Sequence, residues 1–293
     1  MKNLNQEDAI PLPGDVAALA NRINRATRAQ HTRINNMISL KIVFALRDPR
    51  IYRQGIQSFY HVFRTFEECW LAELAKTAPA EDDRIRAILR KVWTPAITRT
   101  DPVTRDLMFY YHDDASKFET PIMPAQISFA NHIRKVTAEH PHLLLAYGHV
   151  MYLALFAGGR ILRSNITRAV GLFPQVEGLT TEEVSVRGTN LFRFEVEDEE
   201  ALRVLFKRNY ELATRNDLTE QEKKEIVEES HEIFKRNIDC VAEIASKNQK
   251  ALFQKTGYKI YSAAYYLGYT LLVCGTLFFF FYYLRRILTR FFF

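Results

Sequence analysis

Apolar residues recur at three- and four-residue steps along most of this chain, the spacing of one face of an α-helix. Leu19, Ile23, Ala26, Ile34, Met37, Ile38 and Ile42 form one such stripe, with Asp15 as its expected cap. Ile56, Phe59, Tyr60, Phe63, Phe66 and Leu71 form a second, within a helix expected over 51–74. Shorter helices are predicted over 85–92, 103–111 and 127–137, and Pro141 opens another that runs to about Ala169. GLFPQVEG (171–178) reads as a turn region. Thr180 with Glu183, and Thr219 with Glu222, match the reciprocal S/T-x-x-E cap, and helices follow over about 199–214 and 220–250. No period-two alternation and no internal repeat interrupts this pattern, and the linkers are short. One all-α domain is the economical architecture.

From Ile260 to Leu284 the pattern changes to IYSAAYYLGYTLLVCGTLFFFFYYL, without a single charged residue. As a helix this run spans about 37 Å, more than the roughly 30 Å hydrocarbon core of a bilayer. Tyr261, Tyr265 and Tyr266 gather at one end and Tyr282 and Tyr283 at the other, as interfacial belts do. Lys255 and Lys259 flank one side, Arg285 and Arg286 the other. These features predict a transmembrane helix. Its position near the end of the sequence leads to the expectation of a tail anchor, with the preceding residues folded in the cytosol. The expected organisation is a polar N-terminal segment (1–14), a helical domain (15–250), a juxtamembrane linker (251–259), the anchor (260–284) and a short basic, aromatic tail (285–293).

The 293 residues carry a formal net charge of +6. That excess suits an anionic small molecule, an acidic protein, a membrane surface or nucleic acid. No RNA-recognition motif, zinc-finger spacing or Arg-rich tract accompanies it, so nucleic acid is not an expected partner. Cys69, Cys240 and Cys274 are scattered without C-x-x-C spacing. They suit neither a disulfide framework nor a zinc site, and point to a reducing compartment. The polar start, MKNLNQEDAIPLPGD, is no secretory signal. There is no nucleophile elbow, P-loop or dinucleotide fingerprint.

Candidate chemistry begins at YGHVMYLALFAGGRIL (147–162). A glycine inside a helix costs roughly 1 kcal/mol relative to alanine, and here Gly158 and Gly159 stand together. The pair predicts a bend. With Ala154 and Ala157 it makes a wall almost free of side chains, suited to close helix packing or to a planar cofactor. His149, two turns before Phe156, is placed to face the same cavity. His31 sits at the edge of an amphipathic helix with Arg28 one turn earlier, and imidazole is a common protein ligand of haem iron. Arg203 and Lys207 are four apart, with Tyr210 one turn on; they form either a solvated face or a grip for a pair of carboxylates. Glu67–Glu68 and Asp113–Asp114 are adjacent on their helices and do not point together. His140-Pro141-His142 reads as a loop and not as a chelate.

Together these segments resemble the heme oxygenase family, over about 17–250. Ala26-Thr27-Arg28-Ala29-Gln30-His31 resembles its A-T-[KR]-x-x-H motif, which supplies the proximal haem ligand. Tyr60, His61, Phe63, Glu67 and Glu68 match Y-H-x-[YF]-x-x-x-E-E. YLALFAGGRIL (152–162) is similar to the distal helix, Arg203 and Lys207 to the basic pair that holds the haem propionates, and Phe234, Asn237 and Ile238 to a later F-x-x-N-I motif. ALFAGG, GLFP and the anchor are similar to the fungal branch of the family.

The resemblance implies haem b, as both substrate and cofactor, between a proximal and a distal helix. His31 is then the iron ligand. Arg28, Arg203 and Lys207 orient the propionates, and His149, Tyr152 and Phe234 contact the ring. Ala154, Leu155, Gly158 and Gly159 line the distal side where the reaction takes place. Family members open the ring at its α-meso carbon to biliverdin, carbon monoxide and ferrous iron, with electrons from NADPH through cytochrome P450 reductase, and this branch implies the endoplasmic reticulum membrane. One departure stands out. The family's distal aspartate, which orders the proton-delivering water, is Leu155 here, and the glycine before it is Ala154. A propionate-binding lysine of the family reads Asn24, next to Arg25. Leucine neither donates nor accepts a hydrogen bond. The alternatives are therefore a non-catalytic haem-binding or haem-sensing protein, a haem peroxidase on the same fold, and a membrane-tethered helical scaffold without haem.

Overall fold

Asp48 starts the helix about which the first part of the molecule is arranged. Its side chain accepts from the Arg50 amide, Pro49 occupies the first helical turn, and α3 (Pro49–Ala75) follows. Tyr52, Ile56, Tyr60, Phe63, Phe66 and Trp70 recur on its buried face. Helices α5 (Thr100–Tyr110) and α6 (Pro124–Glu139) pack along that face. The computed structural model describes residues 11–12, 14–77, 83–169, 171–250 and 256–292, with backbone alone for 40–44, 256–258, 261 and 284–292. Every regular element among the described residues is helical. The chain divides into two compact units, 1–245 and 246–293.

The first stripe forms two helices rather than one. Helix α1 (Leu19–Ala26) ends at Thr27, whose φ of −91° and ψ of 6° leave the helical region before α2 (Arg28–Ala45) begins. The buried Thr27 hydroxyl donates to the Ile23 carbonyl at 2.9 Å, a back-bond that bends helices. Asp15 is not the cap expected of it. The N-cap of α1 is Ala18, without a side-chain bond, while Asp15 accepts from the Ala17 amide and pairs with Arg215 at 2.6 Å.

Helix α4 (Asp83–Val92) packs against α10 (Glu199–Thr214), and α9 (Thr181–Arg187) and α11 (Glu220–Lys247) begin at the two expected reciprocal caps. The segment from Pro141 to Thr167 is a composite. A 3₁₀ turn (Pro141–Leu143) leads into α7 (Leu144–Tyr147), a π-turn (Gly148–Tyr152) and α8 (Leu153–Thr167). Helix α8 runs unbroken through Gly158 and Gly159. The irregularity lies earlier, in the π-turn that opens at Gly148, almost three turns before Gly158. A Cβ there would stand 3.0 Å from the Trp70 ring, tighter than an ordinary contact, so glycine eases this close approach of α3.

Glu67 connects these parts. Its carboxylate is 3% exposed and accepts from the Arg99 amide at 2.7 Å, the Thr100 amide at 3.0 Å, the Thr100 hydroxyl and the Tyr152 hydroxyl at 2.9 Å. One side chain of α3 thereby satisfies the free amides at the start of α5 and fixes the π-turn.

In the second unit, α12 (Thr256–Phe292) is 37 residues long. Its stretch Ser262–Tyr283 has a mean hydropathy of 1.6 over its most apolar window and none of that window is buried within the structure. Its 22 residues span about 33 Å, enough to cross a bilayer. Pro141–Thr167 passes the same length and hydropathy test, but is 72% buried and belongs to the core.

Glu67→Ala leaves three or more donors without an acceptor. An unfolding free-energy loss on the order of 3 kcal/mol is expected in urea titrations, with Glu67→Gln between it and the parent.

Candidate functional site

Helix α8 presents a face with almost no side chains. Ala154, Ala157 and Ile161 are exposed, and Ile161 is 67% exposed. A Cβ added to Gly158 would meet nothing within 4 Å. Gly159 points the other way, its Cβ position 3.9 Å from Phe192 and from Leu155. The two glycines thus serve different ends: Gly159 packs inward and Gly158 leaves open backbone.

Helix α2 carries His31, which is exposed, with Phe234 of α11 set edge-on to its ring at 6.1 Å. Gln30, the residue before it, donates from its amide to His231 at 2.7 Å. One turn beyond Phe234, Asn237 reaches the Met151 sulfur at 3.7 Å while bonding the Ile233 carbonyl. His231, Phe234 and Asn237 follow one another at three-residue steps on α11. One face of α11 therefore ties α2 to the π-turn that introduces α8. A second tie runs from α1, where the Asn24 side-chain oxygen accepts from His149 at 3.1 Å. The imidazole and the bare face belong to one fixed frame.

His149 is enclosed. It is 2% exposed, and its ring lies 5.2 Å from that of Tyr210. Burial first, and then the Lys207 charge, push its pKa down to about 3, so it is a neutral strut between the π-turn and α1. Tyr152 is also sealed, packed against Phe63, Phe66 and Phe206, with its hydroxyl committed to Glu67. Tyr210 donates to the Leu145 carbonyl at 3.2 Å, which leaves no phenol for a ligand. These three side chains build the frame from inside.

The cations differ in their commitments. Lys207 is half-buried and makes no ion pair with a described residue; burial first, and Arg203 second, lower its pKa. Arg28 is exposed and likewise has no ion-pair partner among the described residues. Arg203 is held by Glu200 through Nε, at 2.8 and 3.0 Å, and through a guanidinium NH₂. Leu155, 6% exposed, lines a groove with Phe156, Arg160, Phe192, Phe194, Glu199, Glu200 and Arg203. Its free space of about 20 Å³ admits one water. Phe156 stacks on Phe194 at 4.3 Å, and the Arg99 guanidinium lies 4.2 Å from the centre of the Phe194 ring. Arg99, 2% exposed, spends its donors on the carbonyls of Ile97, Thr98 and Arg193. Sequence patterning did not single out Arg99, Met151 or Gly148; for Gly148, the only signal was a glycine inside a helical stripe.

Residues 17–243 match the family model described as heme oxygenase. The chain is 38% identical over 269 residues to the Saccharomyces cerevisiae protein named "Heme-binding protein HMX1", covering 87% of this chain and 84% of that protein. It is 27% identical over 238 residues to "Heme oxygenase 1" of Synechocystis sp., covering 80% of this chain and 88% of that one. The fold is similar to the crystal structure of a Synechocystis heme oxygenase-1 in complex with heme, with a TM-score of 0.64 and 24% identity, across 84% of this chain and 99% of that chain.

Two buried histidines set an acid limit on this frame. The Nε2 of His61 on α3 has no hydrogen-bond partner among the described residues, and burial first, with Arg64 second, pushes the His61 pKa down to about 4. In the unfolded chain each histidine binds a proton near pH 6.5, whereas His61 does so near 4 and His149 near 3 in the folded protein. Their contribution is complete above pH 6.5 and is lost as pH falls toward 4 and 3, at up to about 1.4 kcal/mol per pH unit for each. Unfolding free energy measured from pH 7 to 4 is expected to fall, and His61→Phe is expected to reduce the slope.

Proposed function

The chain belongs to the heme oxygenase family, and we propose that it binds haem b between α2 and α8 and cleaves it oxidatively to biliverdin, carbon monoxide and ferrous iron. The observation that carries this reading is the bare face at Ala154, Ala157 and Gly158, held in one frame with the exposed imidazole of His31. The side chains present fit the group. Gly158 leaves room for a flat ring, the exposed His31 suits iron ligation, and Lys207 and Arg28, which have no ion-pair partner among the described residues, suit two propionates together with Arg203. Bound there, haem supplies both the redox-active iron and the carbon skeleton that is cut.

The protein's own part is positioning. Phe234 restrains the His31 ring, and His149, Asn24 and Asn237 set the separation of the two helices. Gly158 lets backbone approach the ring edge, so that the fit against α8 selects the carbon that reacts. Leu155 provides no proton-carrying group, and the water-sized space beside it, walled by Arg160, Glu199, Glu200 and Arg203, is the place for an ordered water. A second reading, haem binding without cleavage, is favoured by the same Leu155 and by the name of the yeast relative, a heme-binding protein.

The apolar stretch of α12 supports a membrane anchor. We propose that it holds the helical unit on the cytosolic side of the endoplasmic reticulum, as a tail anchor. Sharing that membrane with NADPH–cytochrome P450 reductase raises the effective concentration of the electron donor without a tight interface. The net charge of +6 suits an acidic reductase surface.

The full chain given hemin, dioxygen, NADPH and reductase is expected to yield biliverdin. His31→Ala is expected to lower turnover at least 100-fold. A lasting haem absorption band without bilin supports the binding-only reading, and no Soret change with hemin overturns both. Gly158→Leu separates the site from the fold. A Cβ at this position meets nothing within 4 Å, and a helix favours leucine over glycine. Unfolding measurements are expected to show stability unchanged or raised by up to about 1 kcal/mol, while hemin affinity falls at least tenfold.

A further inference from the structure

The turn between α6 and α7 approaches α11 away from the residues discussed so far. His140 caps the end of α6 outside the helical region (φ −135°, ψ 80°), and the 3₁₀ turn from Pro141 to Leu143 is pinned by the Leu143 amide on the His140 carbonyl at 3.0 Å. This geometry turns both histidines toward α11, with their ring centres 5.8 Å apart. His142 is buried and its Nε2 lies 2.7 Å from a Glu225 oxygen. The other Glu225 oxygen accepts from Gln221 at 2.7 Å, which fixes the plane of the carboxylate. His140 brings a second imidazole to this pair, and its ring makes no hydrogen bond with a described residue. One donor atom from each of the three lies within 4.8 Å of the others.

We infer that His140, His142 and Glu225 form a binding site for a divalent transition-metal ion. Metal–ligand bonds of about 2.0–2.2 Å place donors around one ion roughly 3–4 Å apart. The Glu225–His142 pair already lies near that spacing, and the exposed ring of His140 is free to swing the remaining distance. Two imidazoles and one carboxylate select zinc, cobalt or ferrous iron over magnesium and calcium, which prefer oxygen. Three protein donors leave coordination positions for water. Gln221 acts as the outer partner that orients the carboxylate. An ion here joins the α6–α7 turn to α11 six residues before His231, where the face that supports His31 begins. The site is independent of haem binding.

The test is titration of the full chain in detergent with Co²⁺, free of haem, followed by the visible absorption of the ion, together with thermal unfolding in Zn²⁺. One equivalent of Co²⁺ is expected to develop ligand-field bands, and Zn²⁺ to raise the unfolding midpoint. His140→Ala, at an exposed position, and Glu225→Gln are each expected to weaken Co²⁺ at least tenfold. His31→Ala is expected to leave Co²⁺ affinity unchanged. Absence of the bands, unchanged affinity in both His140→Ala and Glu225→Gln, or loss of binding in His31→Ala overturns the inference.

Discussion

A single buried carboxylate holds together the elements on which the site depends. Glu67 comes from the middle of α3, ends the unpaired amides of α5, and takes the Tyr152 hydroxyl from the π-turn. Burial raises its pKa, while its four donors act against that rise. Because the acceptor is shared among three elements, α8 cannot shift relative to α3 without leaving a polar group unpaired in the core. The face at Gly158 is therefore a rigid surface, although it carries little packing of its own.

Around that surface the polar groups fall into two kinds. His149, Tyr152 and Tyr210 are enclosed, neutral and fully committed to partners inside the protein. Lys207 and Arg28 have no ion-pair partner among the described residues, and Arg203 is held by Glu200. This division matches a large, mostly apolar ligand with anionic groups at one edge.

Much of this was legible from spacing alone. Helix positions along α3 and α11, both reciprocal caps and the apolar stretch of α12 follow from periodicity, because those signals arise within one element. What stayed hidden depends on partners distant in sequence. His149 gives no sign of whether it meets solvent or Asn24, and Gly148 is explained only by Trp70, almost eighty residues earlier. His140 and His142 read as an ordinary loop until Glu225 arrives from α11. Thr27 splits the first helix through a local back-bond that the apolar stripe passes over. The resemblance motifs located His31 and the glycine pair, but only the coordinates assign Gly158 to open space and Gly159 to packing.

The π-turn at Gly148–Tyr152 decides which of those glycines looks outward. Such a turn accommodates one more residue than an α-turn, and each residue rotates a helix by about 100°. Relaxing it would revolve α8 about its axis, carry Ala154 and Gly158 aside, and bring the bulkier flank around Leu155 to the front. The widened turn thus works as a phase setting: it selects, from one unchanging string of amino acids, the smooth side as the one on display.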